Sequence, residues 1–298
     1  MILVGGEALI DLVQGSTDEL RAHPGGGPFN TARAIARLGR PVAYLGRLST
    51  DRFGRRLEGL LRDDGVDLST VVHTEEPTTL ALAEIGADGS ARYRFYAQAT
   101  AAPGLEPSAA LAVLPERVDI LHVGTLGLAL EPVADALEAV VERLAGSALV
   151  VLDPNVRPWV IRDEAAYRDR LRRLLARTGV LKLSEEDALW LGRGREPVDA
   201  VRELLADGPA LGLLTRGAEG AVVVTPAEAV PVAAPPARVV DTIGAGDAFG
   251  GGFVAWWHER RASLDDLDAA VEATRFACLV AARTLERAGA VPPLRAEL

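Results

Sequence analysis

Seven short apolar or β-branched runs recur along the chain: 2–5 (ILVG), 42–46 (VAYLG), 119–124 (DILHVG), 148–153 (ALVVLD), 180–184 (VLKLS), 211–215 (LGLLT) and 221–225 (AVVVT). Helical patterns fall between them at 29–38, 52–64, 131–144, 164–177, 197–206, 246–260 and 265–287. Strands that alternate with helices pair mostly in parallel, and near-continuous apolar runs such as ALVVL fit strands buried on both faces. The pattern predicts an α/β fold of three layers with a mostly parallel central sheet.

One region breaks this rhythm. Residues 74–98 (TEEPTTLALAEIGADGSARYRFYAQ) show strand-like alternation around GADGS, a hairpin turn signal, with no helix between the halves. Together with 12–23 this segment predicts a small β lid outside the main sheet. No repeat, low-complexity tract or linker divides the chain, so 1–298 reads as one domain.

Composition narrows the function. The net charge of −10 argues against a dedicated partner of nucleic acid or of an anionic membrane. One cysteine and four histidines leave no disulfide framework and no cysteine or histidine metal site. The start, MILVGGEALIDL, lacks the basic leader of a signal peptide, and no apolar run nears the ~20 residues of a membrane span, so a soluble cytoplasmic protein is expected. Lys182 is the one lysine beside 31 arginines, which reads as composition bias.

In open parallel sheets ligands bind beyond the carboxyl ends of the strands. Polar clusters fall there: GEALID with Asp11, DPNVRP with Asn155 and Arg157, KLSEED (182–187) and TRGAEG (215–220). Each alone reads as a polar loop capping the next helix; four at equivalent strand ends point to a site. PGGGPFNTARAIARLG (24–39) is a glycine-rich turn into a helix, and Asn30 offers it a two-way hydrogen-bonding amide suited to a hydroxylated molecule. In DTIGAGDAFGGG (241–252) a carboxylate, Asp247, sits among glycines where a helix begins. Helix N-termini favour anions, so amides at Gly244, Ala245 and Gly246 suit a phosphoryl group, while Asp247 suits the base that deprotonates its acceptor. No G-x-x-x-x-G-K-[ST] occurs, and the glycine spacing of GAGDAFG is not that of a dinucleotide fingerprint.

DTIGAGDAFGGGFV (241–254) and GGGPFNTARAIARLG (25–39) resemble the C-terminal and N-terminal signatures of the ribokinase-like, or pfkB, carbohydrate kinases, and the resemblance spans nearly the whole chain. HVGTLGL, DPNVRP and KLSEED bring it nearest to fructokinases. The resemblance implies an ATP-dependent kinase for a small sugar, most simply fructose, with 2-keto-3-deoxygluconate, ribose or a nucleoside as alternatives, and a non-catalytic sugar sensor as the alternative of another class. It implies Asp247 as base, and Gly244, Ala245 and Gly246 as anion hole. Asp11, Gly26, Gly27, Asn30, Asn155 and Arg157 would face the sugar or phosphates. Ser184, Asp187, Thr215, Gly217, Gly220, Ala277 and Ala281 would serve ATP and its magnesium. Asp241 and the Ile243 carbonyl would serve a potassium ion, and the lid is a candidate dimer clasp. Fructokinases often carry an arginine after FY and an aspartate soon after; this chain has Ala97 and Ala102 there.

Overall fold

A computed structural model describes residues 1–14, 19–85 and 91–298. The chain opens with β1 (Ile2–Gly5), β2 (Leu9–Gln14), β3 (Leu20–Gly25), α1 (Gly27–Arg37), β4 (Val42–Ser49), α2 (Arg52–Asp63), β5 (Val71–Thr74), β6 (Leu80–Ile85) and β7 (Ala91–Tyr96). It continues through α3 (Pro107–Ala112), β8 (Ile120–Gly124), α4 (Val133–Leu144), β9 (Leu149–Asp153), α5 (Glu164–Leu175), β10 (Val180–Ser184), α6 (Glu185–Leu191) and α7 (Pro197–Leu205). It ends with β11 (Leu211–Thr215), β12 (Ala221–Val224), β13 (Ala229–Val232), α8 (Ala245–Arg260) and α9 (Leu267–Leu285).

Among the described residues nine strands form one sheet in the order β13-β12-β11-β10-β9-β8-β1-β4-β5. All neighbours run parallel except β11-β12 and β12-β13. The period-2 alternation of strands sorts side chains onto two cores. Leu3, Leu121, Val123, Leu152 and Leu183 pack toward α3, α4, α5, α6 and α7. Ile2, Val4, Ile120, Val151 and Val180 pack toward α1, α2, α8 and α9. The result is the helix–sheet–helix sandwich that the strand pattern predicts.

The chain moves outward from β1 through β4 to β5, then returns to the other side of β1 with β8. That reversal opens a crevice at the carboxyl ends of β1 and β8, where open α/β sheets bind ligands. Beside it lies a second sheet in the order β3-β2-β6-β7. Its strands extend the expected lid inward to Leu9–Gly25, while 74 belongs to the edge of the main sheet as the end of β5. β6 and β7 pair antiparallel, as a hairpin requires; GADGS itself lies outside the described residues. α6, missing from the expected helices, is set by a capping box in which Ser184 and Asp187 satisfy each other's backbone N–H.

Candidate active site

The loops at these strand ends enclose a cavity of about 720 Å³. It gathers residues from nearly every motif: Asp11, Gly26, Gly27, Asn30, Asn155, Arg157, Ser184, Asp187, Thr215, Ile243, Gly244, Gly246 and Asp247.

Asp247 stands in the first turn of α8. Asn30, in the first turn of α1, donates from Nδ2 to its Oδ2 at 2.8 Å, and Thr31 Oγ1 reaches its backbone carbonyl at 3.4 Å. The two helix starts therefore face each other across the cavity floor. Burial raises the Asp247 carboxyl to about 6, against the lowering pull of the Asn30 hydrogen bond and of the Lys182 charge. A carboxylate so tuned accepts a proton near neutral pH.

The turn before α8 explains its glycines individually. Gly244 has φ of 77°, and a Cβ there would come within 2.5 Å of the Ala290 Cβ, so both backbone and space demand glycine. Gly246 carries no such backbone constraint; its missing side chain leaves room, 3.4 Å from the Lys182 Nζ. The Ala245 N–H reaches the Thr242 carbonyl at 3.4 Å, while the N–H groups of Gly246 and Asp247 have no acceptor among the described residues. Open donors at the N-terminus of a sixteen-residue helix suit a phosphoryl oxygen.

The loops around Gly27 and Thr125 are held by a residue that no sequence motif singles out. Glu7, just past β1 and 3% exposed, accepts from Gly27 N at 3.3 Å, Gly127 N at 3.0 Å and the Thr125 hydroxyl. Burial pushes it up to about 7 in spite of the Thr125 and Gly127 hydrogen bonds. Thr125 has φ of 59°, a costly conformation for a β-branched residue, and Glu7 holds it there. Asp11 reaches the cavity from β2 of the lid, where burial raises it to about 6. Phe95, Trp159 and Trp190 add apolar walls.

Other residues have structural duties. Asp187 accepts from Ser184 N, Ser184 Oγ and Val156 N at 2.9, 2.7 and 2.6 Å, tying α6 to the DPNVRP loop. Glu185 pairs with Arg216 at 3.1 Å, which leaves Glu186 as the open carboxylate of the trio at the cavity edge. Arg157 directs Nη1 to the Asn155 and Val156 carbonyls. Asp241 accepts from Ile243 N and Gly289 N at 3.0 and 2.8 Å, joining the turn before α8 to the segment after α9.

Four expected nucleotide residues lie outside this cavity. Gly217 is exposed beside it. Gly220 is buried with φ of 100°, packed on the backbone of Val232–Ala234, so its glycine serves the β12-β13 crossing. Ala277 is fully buried, its Cα 3.1 Å from where a Cβ on Gly252 would stand; it serves close packing of α8 on α9 rather than an adenine surface. Ala281, one turn on, is partly buried.

Residues 1–297 match the pfkB family carbohydrate kinases, and the chain belongs to that family. A fructokinase of Rhizobium leguminosarum bv. trifolii is 36% identical over 86% of this chain and 79% of its own length. Fructokinase-1 of Oryza sativa subsp. japonica is 34% identical over 100% and 95%. Among solved structures, the Xylella fastidiosa fructokinase with bound ATP superposes with a TM-score of 0.89 at 27% identity, covering 98% of this chain and 95% of that one. The Vibrio cholerae O395 fructokinase bound to fructose, ADP and calcium ion gives 0.86 at 26%, covering 97% and 94%. The protein is an ATP-dependent sugar kinase with a ribokinase-like fold. No helix among the described residues is long and apolar enough to cross a membrane.

Proposed function

We propose that the protein phosphorylates fructose or a closely similar neutral ketose on a primary hydroxyl, with Asp247 as the base. The observation that carries this reading is the Asp247 carboxylate, held by Asn30 beside the open N–H groups of α8 and raised to about 6. A sensor would have no use for such a base, which favours an enzyme.

The sugar lies between Asp11 on the lid and the Gly26–Gly27–Asn30 turn, whose polar atoms suit hydroxyls. Asp247 takes the hydroxyl proton as the oxygen attacks in line. The amides of Gly244, Gly246 and Asp247 stabilise the charge that develops on the transferring group. Glu186, the open carboxylate at the cavity edge, would supply the oxygen donor that magnesium prefers, with Asp187 fixing the turn that carries it, and the ion would neutralise nucleotide phosphate charge when bound. Potassium would bind at the Asp241 and Ile243 turn, whose carboxylate and carbonyl oxygens fit a hard monovalent cation. The nucleotide enters past Thr215 and Gly217. The lid sheet excludes water, and its exposed face is the surface for a dimer clasp.

An acid sugar fits less well. Its carboxylate would meet Asp11, while the Arg157 Nη1 is committed to its own loop. Ala97, where fructokinases often carry arginine, lines a neighbouring cavity with Arg47, Arg162 and Arg170. The test is coupled ADP release on fructose, ribose and 2-keto-3-deoxygluconate. The expected result is the highest kcat/KM on fructose; a clear preference for the acid sugar overturns the ketose reading.

A further inference from the structure

Among the described residues two cationic side chains, Arg157 and Lys182, line the cavity. The Arg157 Nη1 holds its own loop. Lys182 is the one lysine of the chain. It projects from the middle of β10, a strand whose other residues are apolar until Ser184. A buried lysine in a central strand is costly unless its charge has a purpose and a partner.

The partner is Asp153, at the end of β9, whose Oδ2 accepts from Nζ at 2.7 Å with both side chains almost wholly buried. Burial alone pulls the ammonium toward its neutral form, but the carboxylates of Asp153, Asp187 and Asp247 outweigh it and hold Lys182 charged. An ammonium has three protons, and among the described residues Nζ has one acceptor. Gly246 lies beside it, where an added Cβ would stand 3.4 Å from Nζ. Asp153 Oδ1 is buried without a partner among the described residues, so the pair is not a closed unit of its own.

We propose that Lys182 is a further catalytic residue: its ammonium, aimed by Asp153, binds the transferring phosphoryl group from the sheet side while the α8 amides bind it from the helix side. A neutral sugar hydroxyl does not need a full positive charge, whereas a phosphoryl group in flight is the most anionic thing this cavity can hold. Glycine at 246 then keeps the space between ammonium and amides open. The inference rests on the kinase reading above and extends it to a residue on the opposite wall.

Two experiments test it. Lys182→Met keeps the length of the stem and removes the charge, and the Lys182→Met/Asp153→Asn pair also removes the orphaned carboxylate. Both are expected to fold and to lose about 100-fold or more in kcat, as losing one transition-state donor does, with the sugar KM within about threefold. Wild-type kcat in either variant overturns the proposal. The second measurement needs no turnover. Protein grown on lysine labelled with ¹³C at Cε gives one lysine Cε resonance. It should move when the β,γ-imido analogue of ATP is added with magnesium, and move less with ADP. A resonance that ignores the analogue, or responds equally to both nucleotides, overturns the contact with the transferring group. If the wild-type enzyme turned over no sugar, the kinase reading would fail while the nucleotide titration still decided the place of Lys182.

Discussion

The two sheets of this molecule face the same cavity and are built on opposite terms. In the main sheet β1 and β8 are buried along their whole length, with helices on both faces. In the lid, β3 alternates between exposed and half-buried residues, and Leu20 and Tyr96 are 53% and 51% exposed. The main sheet and α8 carry Lys182 and Asp153, confined by packing that permits little adjustment, and Asp247, held by Asn30 at the cavity. The lid carries Asp11 on a sheet with one open face. The contrast assigns chemistry to the rigid wall and substrate coverage to the adjustable one, the division that lets an enzyme close over a ligand without disturbing its reacting groups.

Changes on the rigid wall should therefore cost rate, and changes on the lid should cost little. The largest effect is expected from Asp247→Asn, which should lower kcat by at least ~100-fold while nucleotide still binds; near-normal turnover in a folded variant would break the contrast at its centre. Next comes Gly244→Ala. Forcing a Cβ into a left-handed turn and against Ala290 should destabilise the protein by about 2 kcal/mol, read in a denaturant titration. An unchanged midpoint would mean that the α8 turn is less confined than its geometry implies.

The acid side of the pH profile gives the third effect. As the proposed base Asp247 would act as a carboxylate, and its raised position near 6 means that this form is lost as pH falls through that value. On the acid side of it, kcat/KM should fall about tenfold per pH unit. A profile flat from pH 7 to pH 4.5 would remove Asp247 as the titrating base. On the lid, amides of β6 and β7 should exchange hydrogen several-fold more slowly with sugar bound. Equal exchange in both states would make the lid a fixed flap or a subunit interface. The smallest effect is expected from Leu20→Ser, whose side chain is exposed at the lid edge: a stability change within about 0.5 kcal/mol. A large loss, dependent on protein concentration, would identify that edge as buried in a dimer.

The same contrast explains what the sequence revealed. Strands of the main sheet were legible because burial on both faces writes a continuous apolar run, and ALVVLD at 148–153 is β9 almost to the residue. The lid was legible as a break in that rhythm, but its reach to Leu9 was hidden because GEALIDL reads equally as the loop after β1. Asp247 stood out through the glycines around it. Glu7 did not, because its importance lies in three donors, two of them from residues 125–127, and no local spacing records a contact across 120 positions. Lys182 reads in the sequence as a product of composition, since rarity by itself carries no position; strand pairing with β9 brings it to Asp153. The glycines at 244 and 246 look alike in a sequence, yet one answers to backbone conformation and the other to open space.

The hydrogen bond from Asn30 to Asp247 joins residues 217 positions apart. Contacts of that separation are the slowest kind to form, because a long loop must close before they give anything back. A chain growing on the ribosome makes the Asn30 turn first and, 217 residues later, adds Asp247. Its N-terminal four-fifths can complete the strands of both sheets, but they hold no group at 247 to draw a proton from a hydroxyl. With Asp247 as the proposed base, phosphoryl transfer is withheld from every nascent form that has not yet added α8.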